Sequence, residues 1–149
     1  MKNYIKDYIL EKLDENKGRT VYACDLASEL YNDDNITGSI TCGRRESEEF
    51  LTEYRDEFVN VIKYWKFNAG EDFSNQIAID YFENPEKAHC VLVFAYVDAV
   101  INTIMQKEYR GRDIWNEQID LDGAMIAWIK ENLDDAINAT FDDMDAYNE

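Results

Sequence analysis

The chain has 149 residues, of which 46% are hydrophobic, including 7 Phe, 10 Tyr and 3 Trp. That is the size of one compact domain, which buries roughly 68–70% of its extended surface and needs neither disulfide nor metal to form a core. Its 32 acidic residues against 15 basic ones give a net charge of −17, which disfavours direct nucleic-acid binding, because phosphates demand clustered Lys and Arg.

Ile5, Ile9 and Leu13 recur at steps of four with Tyr8 alongside, so residues 2–16 are expected to form an amphipathic helix ended by Gly18. Thr20 is the expected cap of a second helix running to about Tyr31, with Ala23, Leu26, Ala27 and Leu30 on one face. Asn32 to Ser39 (NDDNITGS) reads as a turn cluster. From Arg44 to Asn68, Phe50, Leu51, Tyr54, Phe58, Val59, Ile62 and Trp65 keep helical step, as one bent helix or two short ones broken at Asp56. Asn75 to Glu83 permits a strand but reads better as helix. Asn84-Pro85 starts the most apolar element, which is expected to be the central buried helix over residues 86–108.

Arg110 to Asp113 is expected as a loop. Asp122 to about Phe141 is expected as a last helix with Met125, Ile126, Trp128, Ile129, Leu133 and Ile137 inside. No Lys or Arg follows Lys130, while carboxylates accumulate, against the preference of a helix C-terminus for positive charge. Residues 142–149 read either as a solvated, disordered acidic tail or as part of a binding face. The expected fold is a single compact all-α domain over residues 1–149, with five to seven helices around residues 88–105.

The N-terminus has no apolar signal-type core. The longest apolar run, Cys90 to Val97, ends at Asp98, well short of the roughly 20 residues of a membrane span. Three widely spaced cysteines, Cys24, Cys42 and Cys90, suggest reduced thiols and a cytoplasmic protein.

Asp33, Asn35 and Thr37 alternate as calcium-loop ligands would, and Gly38 falls at the sharp turn. The twelfth position, however, holds Arg44 where a bidentate Glu belongs, so an ordinary capped turn is the simpler reading. Zinc would draw on Cys24, Cys42 and Cys90 or His89, yet there is no CxxC pair, and adjacent helical residues point about 100° apart. His89 is the only histidine, and no triad, phosphate loop or nucleophile elbow accompanies it. Paired carboxylates such as Glu48-Glu49 and Asp134-Asp135 arise by chance in so acidic a chain. The chain is therefore expected to be non-enzymatic, with no cofactor and no metal. Tyr64, Trp65, Phe67 and Phe73 fit a core better than a ligand cleft. Trp115, in a polar stretch, is the aromatic expected to be exposed as an interface anchor.

A charge of −17 exceeds the roughly 2–8 that suffices for solubility and costs self-repulsion. Binding a basic surface, working in high salt and drift toward acidity are the available reasons. Two groups stand out as candidate partner-binding residues: Glu46, Glu48, Glu49, Glu53, Asp56 and Glu57 beside Arg44-Arg45, and Asp134, Asp135, Asp142, Asp143 and Asp145. A solvated face is the plain alternative for both.

Tyr22 to Tyr31 (YACDLASELY) followed by Thr37 to Cys42 (TGSITC), with a looser match at Phe82 to Lys87, resembles small acidic proteins of phages and mobile elements of Gram-positive bacteria, candidate anti-CRISPR proteins among them. The resemblance spans about the first third of the chain and includes no catalytic signature. It implies a phage-type inhibitor in the host cytoplasm, whose partner is a basic nucleic-acid-binding protein such as a Cas9-type nuclease. The expected function is thus inhibition by an acidic, nucleic-acid-mimicking face. The alternative is a metal-stabilised regulatory or scaffold protein using the Cys and His residues above.

Overall fold

A computed structural model describes residues 1–31 and 43–146. The calcium-like loop (Asp33, Asn35, Thr37, Gly38), Cys42 and residues 147–149 lie outside the described residues. In chain order the elements are α1 (Lys2–Glu15), β1 (Thr20–Tyr22), a 3-10 turn (Ala23–Asp25), α2 (Leu26–Tyr31), α3 (Arg44–Glu53), α4 (Arg55–Ala69), α5 (Glu71–Glu83), α6 (Pro85–Met105), β2 (Glu108–Tyr109), β3 (Arg112–Asp113), β4 (Gln118–Asp120) and α7 (Gly123–Ala146). The protein is predominantly helical, as the periodicity predicts, with seven α-helices and four very short strands among the described residues.

The chain forms two compact units, Met1–Asn32 with Tyr96–Thr140, and Asp33–Ala95 with Phe141–Glu149. In the first, α1 buries the predicted Ile5, Ile9 and Leu13 stripe completely. Thr20 does not cap a helix. It opens β1, which pairs antiparallel with β4 through Thr20↔Asp120, Val21↔Ile119 and Tyr22↔Gln118. Val21 and Ile119 point inward, and the Thr20 hydroxyl donates to Asp120 Oδ1 at 2.6 Å. A β-branched Thr-Val pair with inward alternation suits a strand better than a helix start.

The expected loop at Arg110 to Asp113 is a two-residue hairpin. Glu108 pairs with Asp113 and Tyr109 with Arg112, and Arg110 (φ 53°) and Gly111 (φ 78°) both take positive φ. Two positive φ values in a two-residue loop match the twist of the flanking strands. Asp122 caps α7, because its carboxylate accepts the Met125 amide at 2.9 Å and its carbonyl accepts that of Ile126 at 3.0 Å. Asp122→Ala is expected to remove about 1 kcal/mol and lower the thermal midpoint by about 2–4 °C, read by calorimetry.

In the second unit the helical run from Arg44 breaks at Tyr54 (φ −108°, ψ 36°), two residues before the expected Asp56. It is a kink rather than a loop: Tyr54 N–H still bonds to Phe50 O, and Phe58 N–H to Tyr54 O. Gly70 (φ +100°) then turns the chain straight from α4 into α5, so α5 begins four residues before the expected Asn75. The two helices form an antiparallel hairpin, with Phe58 against Tyr81 at 4.9 Å near one end and Trp65 against Phe73 at 5.2 Å near the other.

Pro85 occupies the first turn of α6, where its missing N–H costs nothing. Leu92, Val93, Tyr96, Val97, Val100, Ile101, Ile104 and Met105 are all fully buried, so α6 is the central apolar helix. It is the one described helix long and apolar enough to cross a bilayer, yet two thirds of its apolar window is buried within the fold. The expected inner stripe of α7 is also buried, apart from a half-buried Trp128. The helix runs on through residues 142–146, where Met144 is buried.

Candidate functional site

The carboxylate group on α3 and α4 is solvent-facing. Glu46, Glu48, Glu49, Glu53 and Asp56 are exposed and Glu57 is half-buried, while Ser47 and Leu51 turn inward. Two of the six are offset one turn back by arginines: Arg44 Nε lies 3.0 Å from Glu48 and Arg45 Nε 3.2 Å from Glu49. Such exposed pairs contribute little to stability. Glu46, Glu53, Asp56 and Glu57 form no ion pair with the described residues. The Tyr54 hydroxyl at the kink registers the field there. Desolvation raises its pKa first, and the charges of Glu53 and Glu57, with a hydrogen bond to Glu53, raise it further.

The second group divides. Asp142, Asp143 and Asp145 lie in the second unit with α3 and α4, and Asp145 accepts a hydrogen bond from Asn60 Nδ2 at 2.7 Å. Asp56 stands one helical turn before Asn60, so the end of α7 and the start of α4 place their carboxylates on neighbouring surface. Asp143 lines a shallow open depression with Tyr64, Asn68 and Ala146. Among its described residues the second unit carries fourteen Asp or Glu against six Lys or Arg. Asp134 and Asp135 lie in the first unit, where Asp134 meets Lys6 Nζ at 2.9 Å and Asp135 stays exposed.

Trp115 departs from expectation, being half-buried. Its backbone is tied on both sides, since its N–H donates to Asp113 Oδ1 at 3.1 Å and its carbonyl accepts from Cys24 N–H at 3.0 Å. The exposed aromatics lie elsewhere. Phe67 and Phe73, expected in the core, are exposed around the Gly70 turn, and Phe82 is exposed at the far end of α5. Both Phe67 and Phe73 flank the one-residue turn at Gly70, which is the sequence signal for the end of the hairpin.

His89 is a core residue. It is 5% exposed, its Nδ1 lies 3.1 Å from Ser47 Oγ, and Phe50 stacks on it at 3.9 Å. Burial lowers its pKa to about 4. Ser47 is fully buried, so this Ser–His contact fastens α3 to α6 beneath the surface. Cys90 is buried and Cys24 half-buried, and no three His, Cys, Asp or Glu side chains among the described residues group in a way that could hold a metal ion.

No family model, curated protein or solved structure matches the chain. The fold and the surface define a predominantly helical protein with a carboxylate-rich face.

Proposed function

We propose that this protein is a non-catalytic, cytoplasmic inhibitor that docks its acidic face into the basic nucleic-acid groove of a partner protein. In its most specific form the partner is a Cas9-type defence nuclease. The observation that carries this reading is the set of exposed carboxylates in the second unit, on α3, the start of α4 and the end of α7, of which Glu48 and Glu49 are paired with arginines while Glu46, Glu53 and Asp56 form no ion pair among the described residues. Carboxylates held on helices can present fixed negative charge at separations comparable to those of phosphates along a duplex. Such a surface would speed association with a basic groove and exclude nucleic acid from it.

The test is cleavage of target DNA by a purified Cas9–guide complex with and without the protein, at low and moderate salt. Inhibition is expected and should weaken as salt rises, since exposed charges are screened beyond about 8–10 Å. A triple variant with Glu46, Glu53 and Asp56 each changed to Lys should inhibit at least about tenfold less well, a loss of about 1.4 kcal/mol in binding. A double variant with Asp142 and Asp143 changed to Lys should behave likewise, and circular dichroism should show both folded. Undiminished inhibition by both variants, or no inhibition by the native protein, overturns the reading.

A further inference from the structure

The acidic groups leave unexplained a cleft of about 260 Å³ in the first unit, bounded by the β2–β3 hairpin, β4 and the first turn of α7. That volume lies just under the roughly 300–1,000 Å³ of pockets for drug-sized ligands, so it suits a smaller molecule. Ile114, Ile119 and Met125 give the cleft an apolar wall. Its exposed charges are of both signs: Arg110 and Arg112 from the hairpin, Asp120 from β4 and Asp122 from the cap of α7. These four groups are not equivalent. Arg112 is held by Glu117 at 2.8 Å. Asp120 accepts the Thr20 hydroxyl and Asp122 the Met125 amide, in each case through Oδ1, which leaves Oδ2 of both without a partner among the described residues. Arg110 forms no ion pair with the described residues, although the chain holds 32 carboxylates. It lies over the Tyr109 ring at 5.1 Å, and Trp128 braces that ring edge-on at 4.9 Å. Alternation along the strands explains the separation. Tyr109 pairs with Arg112 and lines the cleft, while Glu108 and Asp113 pair with each other on the opposite face. Arg110 also takes φ 53°, where Asn, Asp or Gly is the ordinary choice, so the turn alone does not account for an arginine there.

We propose that this cleft binds a free apolar α-amino acid, its carboxylate on the Arg110 guanidinium, its ammonium on the Asp120 and Asp122 carboxylates, and its side chain against Ile114, Ile119 and Met125. The balance of charge selects this class. Two cations and two carboxylates line the cleft and cancel. A phosphate-like dianion would meet both aspartates, and a simple cation would meet both arginines. A zwitterion satisfies each sign with the other. The guanidinium fork matches a carboxylate with two parallel hydrogen bonds. Asp120 Oδ2 and Asp122 Oδ2 are acceptors for the three ammonium donors. Because Glu117 already occupies Arg112, Arg110 is the seat for the carboxylate. The apolar wall then favours a leucine-like or phenylalanine-like side chain over a polar one.

The cleft lies wholly in the first unit, so the docking face proposed above stands or falls separately. Isothermal titration calorimetry of the full-length protein tests the site with leucine, methionine and phenylalanine. Serine, phenylpropanoate and phenethylamine serve as counterparts that lack the apolar side chain, the ammonium and the carboxylate respectively. At least one of the three apolar amino acids is expected to bind with a Kd below about 1 mM, and at least about tenfold more tightly than every counterpart. Arg110→Gln should lower that affinity at least about tenfold, to the level of phenethylamine. A double variant, Asp120→Asn with Asp122→Asn, should lower it to the level of phenylpropanoate, and asparagine at the second position still caps α7. Circular dichroism checks that each variant is folded. No binding of the three amino acids overturns the proposal. So does indifference to Arg110→Gln, or an affinity for phenylpropanoate or phenethylamine that equals the amino acid's, since the cleft would then read one charge and not two.

Discussion

Acidifying the protein from pH 6.5 to 4 is expected to remove roughly 3 kcal/mol of stability through His89 alone. The imidazole is packed beneath Phe50 and against Ser47, and burial lowers its pKa from 6.5 to about 4. In the unfolded chain it titrates near 6.5. Between those values the unfolded state binds a proton that the folded state refuses, so folding stability falls as pH falls. The contribution is intact above pH 6.5 and fully lost by about pH 4, and each unit between costs about 1.36 kcal/mol. Asp98 acts in the opposite sense. Burial raises its pKa, against the lowering effect of its hydrogen bond with Asn102, so the stability it withholds at neutral pH returns as it protonates.

Urea unfolding at several pH values, for the native chain and for His89→Gln, isolates the histidine, because every carboxylate cancels in the difference. That difference should slope across pH 6.5 to 4 and be flat above. Because the chain has one histidine, its imidazole Hε1 gives one resonance that can be followed without assignment in a direct NMR titration. A midpoint near 6.5 in the folded protein would show that His89 is solvated and would refute the buried contact with Ser47.

That contact marks where the sequence was legible and where it was not. The apolar steps of α1, α6 and α7 could be read directly, because helical period is local and each stripe repeats several times. The Thr20–Tyr22 strand could not. It is three residues long, too short for a period to declare itself, and its partner lies 100 residues away at Gln118–Asp120. The loop at Arg110-Gly111 is legible but its hairpin pairing is not, because Arg stands where Asn or Asp usually announces such a turn.

Likewise the acidic residues of the candidate surface could be named from sequence, but not their grouping. The Asn60–Asp145 hydrogen bond, which spans 85 positions, ties the end of α7 to α4. Periodicity also identifies the faces of α5 without saying which is covered. In the sequence Phe82 and Ile79 are indistinguishable from the buried Ile77, because exposure depends on what packs against each face.

Ile101→Ala is expected to cost 2–5 kcal/mol, about that of a large-to-small change in a close-packed core. Ile101 is fully buried on α6, a helix whose buried positions occupy nearly its whole circumference. Removing three carbons there forfeits their transfer free energy and leaves a cavity that rigid neighbours fill only in part. Ile101→Val removes one carbon and should cost about 0.5–1.5 kcal/mol. Urea unfolding in aqueous buffer checks both values, and their ratio carries the meaning. A graded loss means that α6 is buried in protein, its apolar length serving a core. In a bilayer-spanning helix the same side chain would face lipid tails as apolar as itself, and shortening it would leave no such cavity. Losses below about 1 kcal/mol for Ile101→Ala would therefore count against a packed position for this residue, and with it against α6 as the central helix of a water-facing fold.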